Sequence, residues 1–220
     1  MLCTLRVMVM ARDRKRKALT HGRPKANREK TPRYLIVTNG EVTEEEYFQL
    51  RNRELGRRAA LRVKTQREDP LNLALYANRV RSAEESRSGE AESFAKTFVV
   101  TDVDDFTLER IREAQLYCDG HNLIFILTNP CFEVWLVDHE EVCRQRLTPE
   151  VKKRAAELGI VTGDRNKRLN LQLVAGKIGE ALENAGEHNT KERLLGRQEL
   201  RSLDFSPWTD LVSMTEVIGC

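Results

Sequence analysis

Apolar runs in this chain are short: none approaches the ~20 residues that a bilayer-crossing helix needs, which excludes a transmembrane helix as the organising feature. The first ten residues are apolar in flavour but lack the charged start and the length of a signal peptide, and translation is expected to begin at Met10, which opens a polar stretch. The cysteines (Cys3, Cys118, Cys131, Cys143 and Cys220) are odd in number and form no Cys-x-x-Cys pair. Neither a disulfide framework nor a zinc knuckle is therefore indicated, and a reducing, cytoplasmic setting is expected. Cys131, His139 and Cys143 match no zinc spacing either. The phosphate-cradling G-x-x-x-x-G-K-[ST] loop is missing, so any ATP hydrolysis would fall to a partner. Internal repeats and low-complexity segments are also missing.

What is present is charge, unevenly spread. Charged residues make up 32 % of the 220 and the net charge is +3. Between Ala11 and Arg33, ten Lys or Arg residues, among them Arg12, Arg14, Lys15, Arg16 and Lys17, face only Asp13 and Glu29, a local +8. With Arg6 counted, Tyr34 to Cys220 carries −6. A basic arm, residues 1–32, expected to be disordered, thus precedes an acidic body; such an arm suits a phosphate backbone, or serves only as a solvated leader.

The body alternates strand and helix. Tyr34 to Thr38, Phe98 to Phe106 and Leu123 to Thr128 are apolar enough for strands covered on both faces, and Leu61 to Gln66 reads as a weaker edge strand. Thr43-Glu44-Glu45-Glu46 has the form of a capping box, opening a helix to about Leu55. Asp69-Pro70 and Asn129-Pro130 pair a cap with a first-turn proline, predicting helices that fade within Ser82 to Gly89 in the first case and cover Cys131 to Glu140 in the second. A further helix is expected from about Leu108 to Cys118, with Asp119-Gly120 closing it. After about residue 146 only helical patterns remain, studded with basic residues. The expected fold is α/β, a parallel sheet flanked by helices over residues 33–146, with a helical elaboration over 147–220 packed on it.

In such folds ligands gather where the strands end. Asp102 and Asp104 stand two apart at the end of the central strand, so both carboxylates can face one point if the strand continues through Val103, and two hard oxygen donors suit Mg²⁺ or Mn²⁺. Glu133, in the first turn after the last strand, falls on the same rim. Carboxylates that hold such an ion are what metal-assisted phosphodiester cleavage requires. His139 lies on an apolar helical stripe with Phe132, Trp135 and Leu136, where it either orients water or phosphate or is packed in the core.

Taken together, N-G-E-V-T-E (Asn39 to Glu44), Tyr47-Phe48, TDVDDF, TNPCFEVWLVDH (Thr128 to His139) and SPWTDL (Ser206 to Leu211) closely resemble the RloB-like family. The resemblance implies a Toprim-like core, Mg²⁺-dependent nucleic-acid cleavage and a role in restriction-linked antiphage defence beside an ATPase partner. It implies catalytic and metal-binding roles for Asp102, Asp104 and Glu133, with Asn39, Gly40 and Asn129 shaping the site. The family's leading glutamate is replaced by Asn39, and an amide is no general base and a weak ligand for a hard cation. Three accounts of this position are open: Glu41 supplies the carboxylate, Asn39 coordinates through its carbonyl oxygen in a slow nuclease, or the protein is a catalytically silent nucleic-acid- or nucleotide-binding subunit. RNA against DNA, and association with a second copy of the chain, are likewise open.

Overall fold

The computed structural model describes residues 30–88, 93–103, 106–164 and 167–219. Thirty-one onward the chain is one compact unit. Its strands are β1 (Arg33–Thr38), β2 (Ala60–Thr65), β3 (Lys96–Asp102), β4 (Ile124–Asn129), β5 (Val161–Thr162), β6 (Arg168–Leu169) and β7 (Trp208–Thr209). The helices are α1 (Thr43–Leu55), α2 (Pro70–Ser88), α3 (Leu108–Gly120), α4 (Glu133–Val137), α5 (Thr148–Glu157), α6 (Leu171–Val174), α7 (Ile178–His188), α8 (Lys191–Glu199) and α9 (Leu211–Ile218). None of these helices is long and apolar enough to cross a membrane.

The main sheet runs β2-β1-β3-β4-β7. Its first four strands are parallel, and β7 pairs antiparallel with β4 through Thr128 opposite Thr209 and Asn129 opposite Trp208. This is the α/β architecture expected from the strand and helix pattern, a mostly parallel sheet flanked by helices and consistent with a Toprim-like arrangement. Alternation along the buried strands divides the core between the two faces. Tyr34, Ile36, Phe98, Val100 and Ile126 pack with α1, α4, α7 and α9. Leu35, Val37, Val99, Phe125 and Leu127 pack with α2 and α3.

Several elements depart from the sequence reading. Strand β3 begins earlier and ends at Asp102, because the Val103 N–H turns to bond the Thr128 and Pro130 carbonyls and the Phe106 N–H closes back on the Val103 carbonyl. Helix α2 continues to Ser88, with Glu84 paired to Arg62 of β2 at 3.2 Å. Asp119 and Gly120 are still helical, and α3 closes at His121. The Asn129-Pro130 pair does not cap a helix: Asn129 stays in β4 and gives its side-chain amide to the Leu203 carbonyl at 3.0 Å, and α4 is confined to Glu133–Val137. The carboxyl-terminal third, read as helical only, also supplies the β5–β6 hairpin and β7. Two-residue strands leave no periodicity to read.

The capping box is not formed either, for a reason that matters to the site. The Thr43 hydroxyl donates to the Lys167 carbonyl at 2.8 Å, and the Glu46 carboxylate accepts the Leu169 N–H at 2.8 Å and pairs with Arg168 at 2.6 Å. Both box residues clamp strand β6 onto α1 instead of closing on their own helix. By contrast Asp69 does cap α2, accepting the Leu71 and Asn72 N–H groups at 3.1 and 3.3 Å. Asp210 of the SPWTDL segment is a structural hub, accepting from the Leu127 N–H, the Trp208 indole and the buried Arg197 guanidinium.

Candidate active site

Because β1 to β4 are parallel, their carboxyl ends share one edge, and the loops that leave them enclose a cleft of about 570 Å³. The end of β1 contributes Asn39, Gly40 and Glu41, the end of β2 Arg67 and Glu68, and the end of β3 Asp102. The turn after β4 contributes Glu133, while Lys152 from α5 and Lys167 from the clamped hairpin close the far wall. Four parallel strands thus deliver acidic groups and cations to one place, where open α/β sheets bind ligands.

Asp102 is half-buried and held in register opposite Thr128, whose hydroxyl donates to its Oδ1 in a short bond. That bond fixes one carboxylate oxygen at the cleft edge. Glu133, first residue of α4, is also half-buried. Both flank Cys131, whose thiol is raised well above its ordinary value by burial and then by the Glu133 and Asp102 charges. Cys131 is fully buried and inert as a nucleophile.

The residue that sequence reasoning missed is Glu44. Its place in the first turn of α1 suggested only a favourable interaction with the helix dipole. In the structure it is buried at 9 % exposure and lines the cleft. Its carboxylate lies against Gly40, where a Cβ would fall 1.7 Å from the Glu44 carboxyl carbon and one of its oxygens. Only glycine at position 40 admits this approach. Burial, followed by the nearby Glu133 charge, pushes the Glu44 carboxyl up to about 7, against the pull of its own backbone N–H and of Lys152 and Lys167. The signal available in the sequence was the Gly40 to Glu44 spacing: a glycine at a strand end four residues before an acid in the first helical turn.

The other expected residues fall as follows. Glu41 lines the cleft but is exposed, and Asn39 and Gly40 line it half-buried. Asn129 and His139 are not among the cleft's lining residues. Asn129 is buried at the β4–β7 junction, and His139 is packed between Tyr47 and Trp135 with its Nδ1 2.9 Å from the Trp135 carbonyl. Burial drives the His139 ring down to about 4, so it is neutral at physiological pH. Asp104 and the arm residues Arg12, Arg14, Lys15, Arg16 and Lys17 lie outside the described residues.

With these groups in place, comparison with known proteins gives one result: the model of the RloB-like protein family matches residues 34–218. The chain belongs to the RloB-like family. No curated protein and no solved structure matches it. The matched span holds every described residue of the cleft and the Asp210 hub.

Glu44, Asp102 and Glu133 offer hard carboxylate oxygens, and the Glu133 charge lies close enough to Glu44 to raise its proton affinity, which suits a site completed by a cation. Among the described residues no three such groups converge closely enough to hold an ion by themselves. The donor chemistry fits Mg²⁺ or Mn²⁺, with further ligands to come from substrate oxygens or water, as is usual for Mg²⁺.

Proposed function

We propose that this RloB-like protein is a metal-dependent nuclease of antiphage defence whose cleft cleaves phosphodiester bonds. The observation that carries the reading is the grouping of Asp102, Glu133 and Glu44 with Arg67, Lys152 and Lys167 around one cleft at the strand ends. Asp102 and Glu133 are assigned to hold Mg²⁺ or Mn²⁺. The cation, when bound, neutralises phosphate charge and activates water. Glu44, whose carboxylate lies against Gly40, is assigned to supply the carboxylate that Asn39 cannot. Arg67, Lys152 and Lys167 are assigned to the phosphates flanking the scissile bond, where a guanidinium or ammonium stabilises the charge that grows in the transition state. Lys167 is positioned for this by the Thr43 hydroxyl that holds its carbonyl.

The basic arm is assigned to non-specific contact with the nucleic-acid backbone, and ATP-driven control to an ATPase partner. The test is cleavage of labelled tRNA and of plasmid DNA with Mg²⁺ or Mn²⁺, with and without that partner. Asp102→Asn and Glu44→Gln should each lower the rate by roughly 10²- to 10⁴-fold, the usual cost of losing an essential acid or base, whereas Glu41→Gln should retain most activity. Equal rates for wild type and Glu44→Gln would overturn the assignment.

A further inference from the structure

A second cavity, of about 600 Å³, opens beside the first between the end of β2 and helices α2 and α3. Its walls include Tyr76, Tyr117, Arg79, Gln66 and Asn72, and Glu68 lines both cavities, so the two adjoin across one residue. No role in the chemistry described above uses it. Two phenol rings, a guanidinium and two carboxamides around a space of this size form a wall chemically unlike the carboxylate cleft, with aromatic faces and planar hydrogen-bonding edges.

We infer that this cavity is a nucleobase subsite: it receives, by stacking, a base of a single-stranded nucleic acid whose backbone runs through the carboxylate cleft. The inference rests on the nuclease reading of that cleft. Tyr117 is prepared for the role. Its ring is stacked on His121 at 3.9 Å between centroids and 19° between planes, and its hydroxyl accepts from the Asn78 amide at 3.0 Å. The His121 ring is fixed in turn through its Nδ1, 2.8 Å from the Tyr117 carbonyl. With one face on His121 and its hydroxyl held by Asn78, the ring is ordered before binding and loses little rotamer freedom when a base stacks on it. Tyr76 carries the exposed Arg79 guanidinium 5.9 Å from its ring centroid, an arrangement that accepts either a base edge or a phosphate. Stacking on such surfaces tolerates any base, so the subsite adds affinity and register to the cleft without strong sequence choice.

The test uses the full-length protein and 12-nucleotide RNA and DNA single strands carrying one 2-aminopurine, with Ca²⁺ replacing Mg²⁺ to limit cleavage. In the wild type, 2-aminopurine fluorescence should be quenched when the probe occupies one or two positions along the strand and not at the others. Tyr76→Leu and Tyr117→Leu should each weaken binding about tenfold, the scale of losing one stacked base, and abolish that quenching, whereas Tyr117→Phe should preserve both. Lys152→Ala with Lys167→Ala should weaken binding while leaving the quenching at saturation unchanged. Binding that survives in the Tyr→Leu variants, or quenching absent at every position in a wild type that binds, overturns the subsite and leaves the cleft reading intact. A wild type that binds neither strand overturns the cleft reading, and the subsite falls with it.

Discussion

The proton on Glu44 ties the geometry of the cleft to a bulk property of the protein. Burial, with Glu133 nearby, moves this carboxyl from 4.5 to about 7. For an acid raised in the folded state, the folded protein binds more protons than the unfolded chain between those two values, so stability must fall as pH rises through that window and level off above it. At ~1.4 kcal/mol per pH unit the whole displacement is worth about 3 kcal/mol. Glu44→Gln keeps the shape of the side chain and removes the charge. In chelator, the variant should therefore melt with the wild type near pH 4.5 and above it at pH 8.5. For a chain of this size 1 kcal/mol moves the midpoint by about 2–4 °C, so the expected gain is about 6–12 °C. Thermal unfolding followed by circular dichroism across this range measures it, and the difference between the two proteins cancels the titrating groups that do not interact with Glu44. Parallel pH profiles would show that Glu44 is not buried as described. Added Mg²⁺ should narrow the gap by stabilising the wild type more than the variant, because the cation offsets the buried Glu44 charge.

Other consequences follow from the same geometry. Gly40→Ala pushes a methyl group onto the Glu44 carboxylate and should lower Mn²⁺ affinity measured by calorimetry, while a Gly120→Ala control, where an added Cβ meets nothing within 4 Å, should not. Asn39→Glu should raise the cleavage rate less than about tenfold, because Glu44 already supplies the carboxylate; a rise of the 10²-fold scale would return the essential acid to position 39. His188 bonds both oxygens of the fully buried Asp138 at 2.9 and 3.1 Å, so His188→Ala strands a buried carboxylate and should cost about 3 kcal/mol in urea unfolding, partly recovered by adding Asp138→Asn.

Much of the fold is legible in the sequence because the parallel strands are apolar on both faces and the helix starts carry distinct residues: β1, β3 and β4, and the Asp69 cap of α2, follow from such local signals. What fails is what depends on distant partners. Thr43 and Glu46 satisfy the local rule for a capping box, yet their bonds go to residues more than 120 positions away, and Asn129 is held by the β4–β7 pairing and by Leu203. The site divides in the same way. Asp102 and Glu133 are visible because they follow strand ends, while Glu44 is hidden: an acid in a first helical turn is ordinary until the glycine beneath it is placed. Lys152 and Lys167 reach the cleft only through tertiary packing, which no spacing in the sequence records.

The most direct test of the central claim is the location of a metal ion in crystals soaked with Mn²⁺. The account predicts an anomalous peak in the cleft within coordination distance, about 2.0–2.3 Å, of carboxylate oxygens of Asp102 and Glu133, lost in Asp102→Asn. A cleft without a peak at saturating Mn²⁺, or a peak bound elsewhere and unaffected by Asp102→Asn, would contradict it.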